Sequence, residues 1–413
     1  MQSALAWSKS KPAPVRNRAA ALAVLVGVLT AGCAPGLIGG GDYGWLDGRH
    51  SEVSTRSIRL RWREQLTPTQ GGAYIPVQRA APVLDPANDR LYVGSTTGEL
   101  WALSAGGSRI YTYDSGSSIG AQPAFDGARD EIYLPTEGGV LHMLTASTGR
   151  VQWRAEVGGA VSTAPVLTDD AVYVVTDDDI VVALAREDGE ALWRVRREAP
   201  EGFSVSEHAG LALVERRLLT GFTNGVVMAL SPADGSILWE RDTAQELEPE
   251  DDGAPRFVDV DSTPAVVGET VFAASFAGGL FALEIDSGTV LWRDETLTGI
   301  SAITAAGPRL LLLSSGDLGL VCFDHVSREI IWQKRLPRGA PAPAVVADDL
   351  VLFGETQGGF VTAALSNGAE LGRIEVGHGF SARPSIRDGR GFVLSNGGGL
   401  FAFTTPQSQV RTR

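Results

Sequence analysis

Histidine and cysteine carry much of the nucleophilic, acid–base and metal chemistry of proteins, and both are scarce in this chain. Its 413 residues include five histidines and two cysteines. The histidines show no His-x-x-x-His spacing that would bring two ligands to one zinc ion; they stand at positions 50, 142, 208, 325 and 378. The chain also has no glycine-rich phosphate-binding loop with its lysine. We therefore predict no catalytic residue, no metal site and no bound cofactor.

Cys33 offers a different chemistry, because it directly follows a segment with the features of an export signal. The first 32 residues contain four basic and no acidic side chains, and residues 19–29 form an apolar run too short to cross a bilayer. The run ends in Leu29-Thr30-Ala31-Gly32-Cys33, which resembles a bacterial lipobox. This resemblance implies cleavage before Cys33 and acylation of its thiol and new amino terminus. The alternative is a cleaved secretory signal with an incidental cysteine.

The charge of the mature chain excludes several classes of partner. Loss of residues 1–32 would leave 31 basic and 49 acidic residues, so the formal charge would change from −14 to −18. Such a protein does not bind nucleic acid through general electrostatic attraction. It has no polybasic patch for lipid headgroups, so membrane attachment would depend on the covalent lipid.

Cys322 lies in an apolar run and is predicted to be a buried thiol, without a disulfide framework.

A glycine followed four residues later by a tryptophan recurs along the chain. The copies are Gly149/Trp153, Gly189/Trp193, Gly235/Trp239 and Gly288/Trp292, and Trp332 continues the series with Arg328 in the glycine position. A period of about 40–50 residues predicts a repeat architecture, which builds surfaces more often than buried pockets. Each unit also contains two short apolar runs separated by a tight turn such as Asn224-Gly225, which indicates a β-hairpin.

Eight such hairpins follow one another, and most are preceded by a further strand that opens with proline. Four antiparallel strands per unit and no helical period predict an all-β fold, an eight-bladed β-propeller; a β-solenoid is the alternative. The eighth unit stops after its third strand at Phe403, and we expect the N-terminal strand around Trp62 to close the ring. The predicted segments are a signal peptide at 1–32, a flexible linker at 33–56, the propeller at 57–405 and a tail at 406–413.

These units resemble the tryptophan-docking repeats of quinoprotein propellers over about residues 57–405. Two families share that blade: the quinone-dependent alcohol dehydrogenases, and the BamB lipoproteins of the outer-membrane β-barrel assembly machinery. Each tryptophan is predicted to pack on the neighbouring blade, where it would bury roughly 150–250 Å². The predicted docking residues are Trp62, Trp153, Trp193, Trp239, Trp292 and Trp332. Tyr111 and Gly372 replace tryptophan in two units, so we expect weaker contacts there.

The two families differ in their catalytic residues and cofactor ligands. Resemblance to the dehydrogenases would imply a quinone held beside neighbouring cysteines, a calcium or lanthanide ion bound by Glu, Asn and Asp, and an aspartate base. This chain has no adjacent cysteines, and many of its acids lie in turns, as Asp188 and Asp234 do before glycine. We therefore predict a non-catalytic protein, with a quinone-dependent dehydrogenase as an alternative.

Residues 241–264 interrupt the repeat and lengthen one Trp-to-Trp spacing to 53 residues. An acidic stretch there leads to Asp259-Val260-Asp261-Ser262-Thr263-Pro264, which resembles the Asp-x-Asp-Thr/Ser-Thr-Pro stretch of the BamB family. That resemblance implies that Asp259 and Asp261 lie at the rim and bind the periplasmic repeats of a BamA-like barrel insertase. The alternative is that both aspartates cap the entry to a strand. The family's second contact loop matches residues 203–208 but its arginine is missing, so no residue is assigned there.

The predicted function is that of a scaffold lipoprotein that faces the periplasm. Ala34 rather than aspartate follows Cys33, which by resemblance to enterobacterial sorting favours the outer membrane. The resemblance implies a monomeric propeller within a hetero-complex, with a BamA-like insertase and other assembly subunits as partners. The alternative binding function is that of a periplasmic or surface propeller with another protein or a glycan as its ligand.

Overall fold

The computed structural model describes residues 53–55, 57–68, 76–197, 208–246 and 257–405. These residues form 33 β-strands and one short 3-10 helix. The strands make eight antiparallel sheets, seven of four strands and one of five. The prediction of an all-β, eight-bladed propeller is confirmed. The predicted signal peptide, Cys33, residues 33–52 of the linker and the C-terminal tail lie outside the described residues.

Two N-terminal strands, β1 (Val53–Thr55) and β2 (Arg59–Gln65), precede the first blade. Blades 1 to 4 are formed by consecutive strands. Blade 1 contains β3 (Val83–Asp85), β4 (Arg90–Gly94), β5 (Glu99–Ser104) and β6 (Arg109–Asp114), and blade 2 contains β7 (Ala124–Asp126), β8 (Glu131–Pro135), β9 (Val140–Thr145) and β10 (Arg150–Glu156). Blade 3 contains β11 (Val166–Leu167), β12 (Ala171–Val175), β13 (Ile180–Ala185) and β14 (Ala191–Arg196), and blade 4 contains β15 (Ala212–Val214), β16 (Arg217–Gly221), β17 (Val226–Leu230) and β18 (Ile237–Asp242). A 3-10 helix, Ala244–Glu246, follows β18.

Blades 5 to 8 continue the same meander: β19 (Ala265–Val267), β20 (Thr270–Ser275), β21 (Gly279–Glu284) and β22 (Val290–Asp294); β23 (Ile300–Ala306), β24 (Leu310–Ser315), β25 (Gly319–Asp324) and β26 (Glu329–Lys334); β27 (Val345–Ala347), β28 (Leu350–Gly354), β29 (Phe360–Ala364) and β30 (Glu370–Ile374); β31 (Ser385–Arg387), β32 (Arg390–Leu394) and β33 (Gly399–Thr404). Among the described residues there is no helix with the length and apolar character needed to cross a membrane.

The hydrophobic core is divided into layers between neighbouring blades. β12 shows why: Val172 and Val174 pack with side chains of blade 2, whereas Tyr173 and Val175 pack with side chains of blade 4. Because both faces of such a strand are buried, its sequence is an unbroken apolar run and does not alternate with polar residues. The same arrangement explains the apolar middle strands of every repeat.

The ring is closed by the N-terminal strand, as predicted. β2 pairs antiparallel with β33, from Arg59 opposite Thr404 to Gln65 opposite Gly399, and becomes the outer strand of blade 8. Its Trp62 donates a hydrogen bond of 2.9 Å from Nε1 to the Ala105 carbonyl of blade 1. Strand pairing therefore joins the two ends of the described chain, and the docking of Trp62 joins blade 8 to blade 1.

Tryptophan docking follows one geometry, shown here by Trp153. Its Nε1 donates a hydrogen bond of 2.9 Å to the Arg186 carbonyl of blade 3, and its ring lies against Gly189. Gly189 has φ +78°, and a Cβ there would lie 2.6 Å from the ring, so backbone and space both require glycine. The glycine of one repeat thus receives the tryptophan of the preceding blade. The other indole–carbonyl pairs are Trp62–Ala105, Trp193–Pro232, Trp239–Ile285 and Trp332–Leu365.

Two units use a variant of this contact. Tyr111 donates a hydrogen bond of 2.7 Å from its hydroxyl to the Ala146 carbonyl, so the phenol reaches the same kind of acceptor as the indole. The repeat after Trp292 has Arg328 where the others have glycine, and Trp292 packs against Phe323 with ring centroids 6.1 Å apart. Arg328 has φ +61°, so the left-handed turn is retained although the glycine is not.

The chain's N-terminal segment covers blade 7 beside Gly372, where tryptophan is missing. β1 joins β30 as a fifth, antiparallel strand, with Thr55 opposite Gly372. The hydroxyls of Ser57 and Thr362 are hydrogen-bonded, and Ile58 is 3% exposed in the layer between blades 7 and 8. The sequence prediction began regular structure at Ser57, and the structure adds this short strand before it.

The fourth strand of every blade contains a β-bulge one residue before the docking position. In blade 3, for example, Ala183 pairs with Trp193 and Leu184 pairs with Ala191, so Leu192 has no partner. Bulges distort an edge strand and hinder its pairing with another chain. Leu192 is 54% exposed at this bulge. The corresponding residues of the other blades are Arg61, Ile110, Gln152, Leu238, Leu291, Ile331 and Leu371.

Candidate functional site

Two kinds of loop meet on one face of the propeller. They are the turns between the second and third strands of each blade and the connections that lead from one blade to the next. Backbone hydrogen bonds join them: the Asp177 amide donates to the Ala160 carbonyl, and the Phe276 amide donates to the Asp259 carbonyl, each over 2.9 Å. We call this the upper face, and we call the face with the remaining turns the lower face.

The predicted aspartates lie on the upper face in residues 257–263, which we call the rim segment. The segment is held between the turn after β16 in blade 4 and the turn after β20 in blade 5. On one side the Val260 amide donates to the Phe222 carbonyl over 3.2 Å, and on the other the Phe276 amide donates to the Asp259 carbonyl over 2.9 Å. Three further bonds hold it to blade 5: Ala277 N to Phe257 O, Ser275 Oγ to Val258 O, and Ala274 N to Ser262 Oγ.

The two aspartates occupy different environments within the rim segment. Asp259 is 2% exposed, and its neighbour Val260 is 1% exposed. Asp261 is half-buried, and Thr263 is exposed. The part of the rim segment that solvent or a partner can reach therefore includes Asp261 and Thr263, whereas Asp259 belongs to its support.

Phe257 is a surface residue of the rim segment that the sequence interpretation did not single out. It is 39% exposed, although its ring also packs edge-on against Phe276 at a centroid distance of 6.2 Å. An exposed aromatic ring next to polar groups is the composition that protein-binding surfaces favour. The sequence signal for it is a single aromatic residue between the acidic stretch and Asp259.

Thr243, which lies before the rim segment in the chain, is hydrogen-bonded to the turn after β16 in blade 4. Thr243 follows β18 and donates from both its amide and its hydroxyl to the Gly225 carbonyl, over 3.0 and 2.7 Å. Residues 247–256 lie outside the described residues, as do residues 203–207 of the predicted second contact loop. His208, the last residue of that loop, is buried against Asp179 of blade 3.

Two side chains elsewhere, Cys322 and His142, have strongly shifted pKa values. Burial raises the pKa of Cys322 to about 11, so its thiol stays protonated at neutral pH. Burial, with a smaller contribution from Arg154, lowers the pKa of His142 to about 4, so its ring is neutral. Within the described ranges, no three His, Cys, Asp or Glu side chains are grouped so that they could hold a metal ion. The rim segment offers an aromatic ring, a carboxylate and a hydroxyl, which are groups suited to binding.

Comparison with known proteins relates this chain to one family by sequence and to a wider group by fold. Residues 96–334 match the family model described as outer membrane protein assembly factor BamB. Outer membrane protein assembly factor BamB of Yersinia pestis is 26% identical over 272 residues, which cover 65% of this chain and 68% of that protein.

Among solved structures, BamB from Moraxella catarrhalis has a TM-score of 0.71 and 21% identity, with 84% of this chain and 99% of that chain covered. A quinohemoprotein alcohol dehydrogenase from Pseudomonas putida HK5 has a TM-score of 0.65 and 12% identity, with 84% and 76% covered. At these identities the structural likeness shows the propeller fold alone, and an assembly factor and an enzyme both have it.

Proposed function

Because this chain belongs to the BamB family of outer membrane protein assembly factors, we propose that it is a non-catalytic scaffold of the β-barrel assembly machinery. Lipid on Cys33 holds it at the outer membrane, with the propeller in the periplasm. Its upper face binds the periplasmic domains of a BamA-like barrel insertase through the rim segment. It works as a monomeric propeller within that hetero-complex.

One observation carries the proposal for the rim segment: hydrogen bonds from the turns of two neighbouring blades already hold this irregular segment in place. Blade 4 and blade 5 both hydrogen-bond to it, and Val260 and Ser262 are buried between them. Ordering of a loop on binding costs free energy, so a segment that is already ordered retains more of its contact energy as affinity. The preformed segment suits a scaffold that positions another protein.

The exposed groups of the rim segment are expected to have different roles in partner recognition. Phe257 supplies an aromatic anchor, the type of residue that dominates the binding energy of interfaces. Asp261 supplies negative charge at the edge, which sets orientation and association rate more than final affinity. We therefore expect the partner to present an apolar pocket with a basic side chain beside it. Asp259 contributes by holding the segment in place.

Substitution at the two surface positions tests this function. We expect Asp261→Lys and Phe257→Ala each to weaken binding of the insertase's purified periplasmic domains by about tenfold. The measurement is the dissociation constant by calorimetry, with the full chain in detergent and the partner domains from the same bacterium. The melting temperature of each variant is measured alongside, so that a loss of affinity can be compared with any loss of stability.

Matched controls lie on the lower face. Asp169→Lys makes the same charge change in an exposed turn of blade 3, and Val326→Ala shortens a side chain that is 63% exposed in blade 6. Both should bind as the wild type does. The proposed function would be wrong if wild-type protein did not bind the insertase domains, and the assigned surface would be wrong if the lower-face variants lost as much affinity.

A further inference from the structure

A buried ion pair joins blades 3 and 4 next to the rim segment. Nε2 of His208 lies 2.7 Å from Oδ1 of Asp179, and the two side chains are 3% and 0% exposed. Nδ1, the other ring nitrogen, lies 2.8 Å from the carbonyl oxygen of Ala209. Since each nitrogen faces an acceptor, the ring can donate to both only when both nitrogens carry a proton. The geometry therefore favours the positively charged imidazolium.

Asp179 also holds the turn of blade 4 that contacts the rim segment. Its carboxylate accepts a hydrogen bond from the hydroxyl of Thr223, and the Thr223 amide donates to Oδ1 over 3.2 Å. We call Asp179, His208 and Thr223 the blade 3–4 clasp. Its three donors to one carboxylate compensate for the removal of that charge from water.

The environment sets the charge state of both titratable members of the clasp. For His208, burial is the largest single effect and opposes the charge, but the hydrogen bonds to Asp179 and Ala209 outweigh it and raise the pKa. For Asp179, burial likewise opposes the charge, and the hydrogen bonds from His208 and Thr223 outweigh it and lower the pKa. A histidine with a raised pKa forms its ion pair fully below its unfolded value and loses it as the pH rises through the raised value.

Within the part of the chain that the structure describes, few other charges face the ring of His208. Asp177, on the same turn as Asp179, adds attraction for the imidazolium. Blade 4 contributes the neutral ring of Phe222, edge-on at a centroid distance of 6.4 Å, together with Thr223. Arg197 touches Asp179 through its backbone amide, while its guanidinium pairs with Glu240 over 3.0 Å. Among the described residues, the charge on His208 therefore depends on the balance between its burial and its two hydrogen-bond acceptors.

Two short routes connect the clasp to the rim segment. Thr223 follows Phe222, whose carbonyl accepts the Val260 amide over 3.2 Å. His208 is two residues before Gly210, whose amide donates to Oγ1 of Thr263 over 2.9 Å. The routes reach the rim segment on either side of Asp261, so a shift of either clasp partner would move the surface around it.

We propose that the blade 3–4 clasp positions the rim segment and makes partner binding weaker as the pH rises above neutrality. This inference rests on the proposed function of the rim segment. When His208 loses a proton, the ring nitrogen without hydrogen faces either the Asp179 carboxylate or the Ala209 carbonyl, and two acceptors in contact repel each other in a buried site. His208 then moves away from Asp179 or from the Ala209 carbonyl, and the hydrogen bonds of the neighbouring Gly210 and Phe222 to Thr263 and Val260 lose their fixed geometry.

The first test is the pH dependence of binding. The full chain is titrated with the insertase's purified periplasmic domains between about pH 6 and pH 9, where histidine is the main side chain to titrate. We expect the dissociation constant of the wild type to rise about 5–10-fold over this range. His208→Gln can still donate one hydrogen bond but cannot titrate, so its affinity should not depend on pH. His325→Gln, in a lower-face turn, should keep the wild-type profile.

Thr223→Val separates the positioning role from the charge. This variant removes the hydroxyl donor but keeps the Asp179–His208 pair, so we expect lower affinity with the pH dependence retained. A Thr223→Val protein with wild-type affinity would contradict the positioning role. A His208→Gln protein with the wild-type pH profile would contradict the role of the histidine charge.

The second test needs no partner and so distinguishes failure of this inference from failure of the proposed function. Hydrogen exchange of the Val260 and Gly210 amides, corrected for the intrinsic effect of pH, should become faster as the pH rises, in the wild type and not in His208→Gln. If wild-type protein binds the insertase at no pH, the proposed function fails and the exchange data decide on the clasp alone. Exchange at these amides that is indifferent to pH and to His208→Gln would overturn the inference.

Discussion

Replacement of Trp153 by alanine is expected to lower the free energy of unfolding by about 3–5 kcal/mol. Trp153 is 8% exposed and donates to the Arg186 carbonyl over 2.9 Å, with its ring 5.8 Å from that of Tyr133. Alanine leaves a cavity between blades 2 and 3 and an unsatisfied buried carbonyl. Urea denaturation followed by fluorescence of the remaining tryptophans measures the loss.

Substitution of Gly189, which receives the Trp153 ring, provides a second test of this contact. Gly189→Ala should itself destabilise the protein, because a Cβ would lie 2.6 Å from the indole ring and the residue has φ +78°. In the Trp153→Ala background the steric part of this cost disappears, so the double variant should lose less than the sum of the single losses. Strictly additive losses would show that the two residues do not interact as described.

A control for side-chain size is available on the next outer strand. Leu192 is 54% exposed at the β-bulge, so Leu192→Ala should change the free energy of unfolding by no more than about 0.5 kcal/mol. If Trp153→Ala cost as little as this control, the docking contact would contribute nothing of consequence to stability.

Arg186→Met is the second substitution with a large expected effect, about 3–5 kcal/mol at neutral pH. The Arg186 side chain is 4% exposed, and its guanidinium contacts Asp126 over 2.6 Å as well as Glu131. It also donates to the Tyr133 hydroxyl over 2.9 Å and to the Thr168 carbonyl over 2.7 Å. Removal of the cation leaves two neighbouring carboxylates without their compensating charge, so the cost exceeds that of a surface pair.

The effect of Arg186→Met should depend on pH in a defined direction. Hydrogen bonding to Arg186 lowers the pKa of Asp126 in the folded state, so this stabilisation exists above the unfolded pKa and is lost as the pH falls through the folded value. The difference in stability between wild type and variant should therefore shrink in acid. Denaturant midpoints measured from neutral pH down to about pH 3 test this.

An exposed ion pair serves as the control for Arg186. Arg390 contacts Asp89 over 2.6 Å, but the two side chains are 50% and 62% exposed. Arg390→Met should cost no more than about 1 kcal/mol, because water already solvates both charges. A loss at Arg186 that is equally small, or that does not change with pH, would contradict the description of the buried cluster.

The propeller fold could be predicted because its determinants are local in sequence. Apolar runs such as β12 and turns such as Asn224-Gly225 define hairpins within about ten residues, and their repetition defines the blades. Closure by β2 was also predictable, because the eighth unit lacks a strand and the chain has one to spare at the N-terminus.

Contacts between blades were less accessible to prediction. Tyr111 and Gly372 both depart from tryptophan, but the first retains a carbonyl contact through its hydroxyl and the second lies opposite Thr55 in an added strand. The sequence pattern treats both as the same kind of loss. Their difference arises from which chain segment lies next to them, and for Gly372 that segment is more than 300 residues away.

In the candidate site, too, the contacts between blades could not be predicted from the sequence. Resemblance implies one role for Asp259 and Asp261, but the fold buries the first and leaves the second half-buried. Phe257 and the His208–Asp179 pair carried no recognisable motif. Exposure and pairing depend on the turns that flank a segment, and these come from other blades.

By itself, then, the sequence determined the repeating unit, the number of blades and the closing strand, because turn residues and apolar runs act within a single hairpin. Only the tertiary structure decided which glycine receives which tryptophan, what covers Gly372, and which aspartate of the rim segment meets solvent. It also brought His208 to Asp179 and thereby raised the pKa of a buried histidine. The physical reason is that burial and pKa depend on the groups that surround a side chain, and in this propeller those groups belong to neighbouring blades.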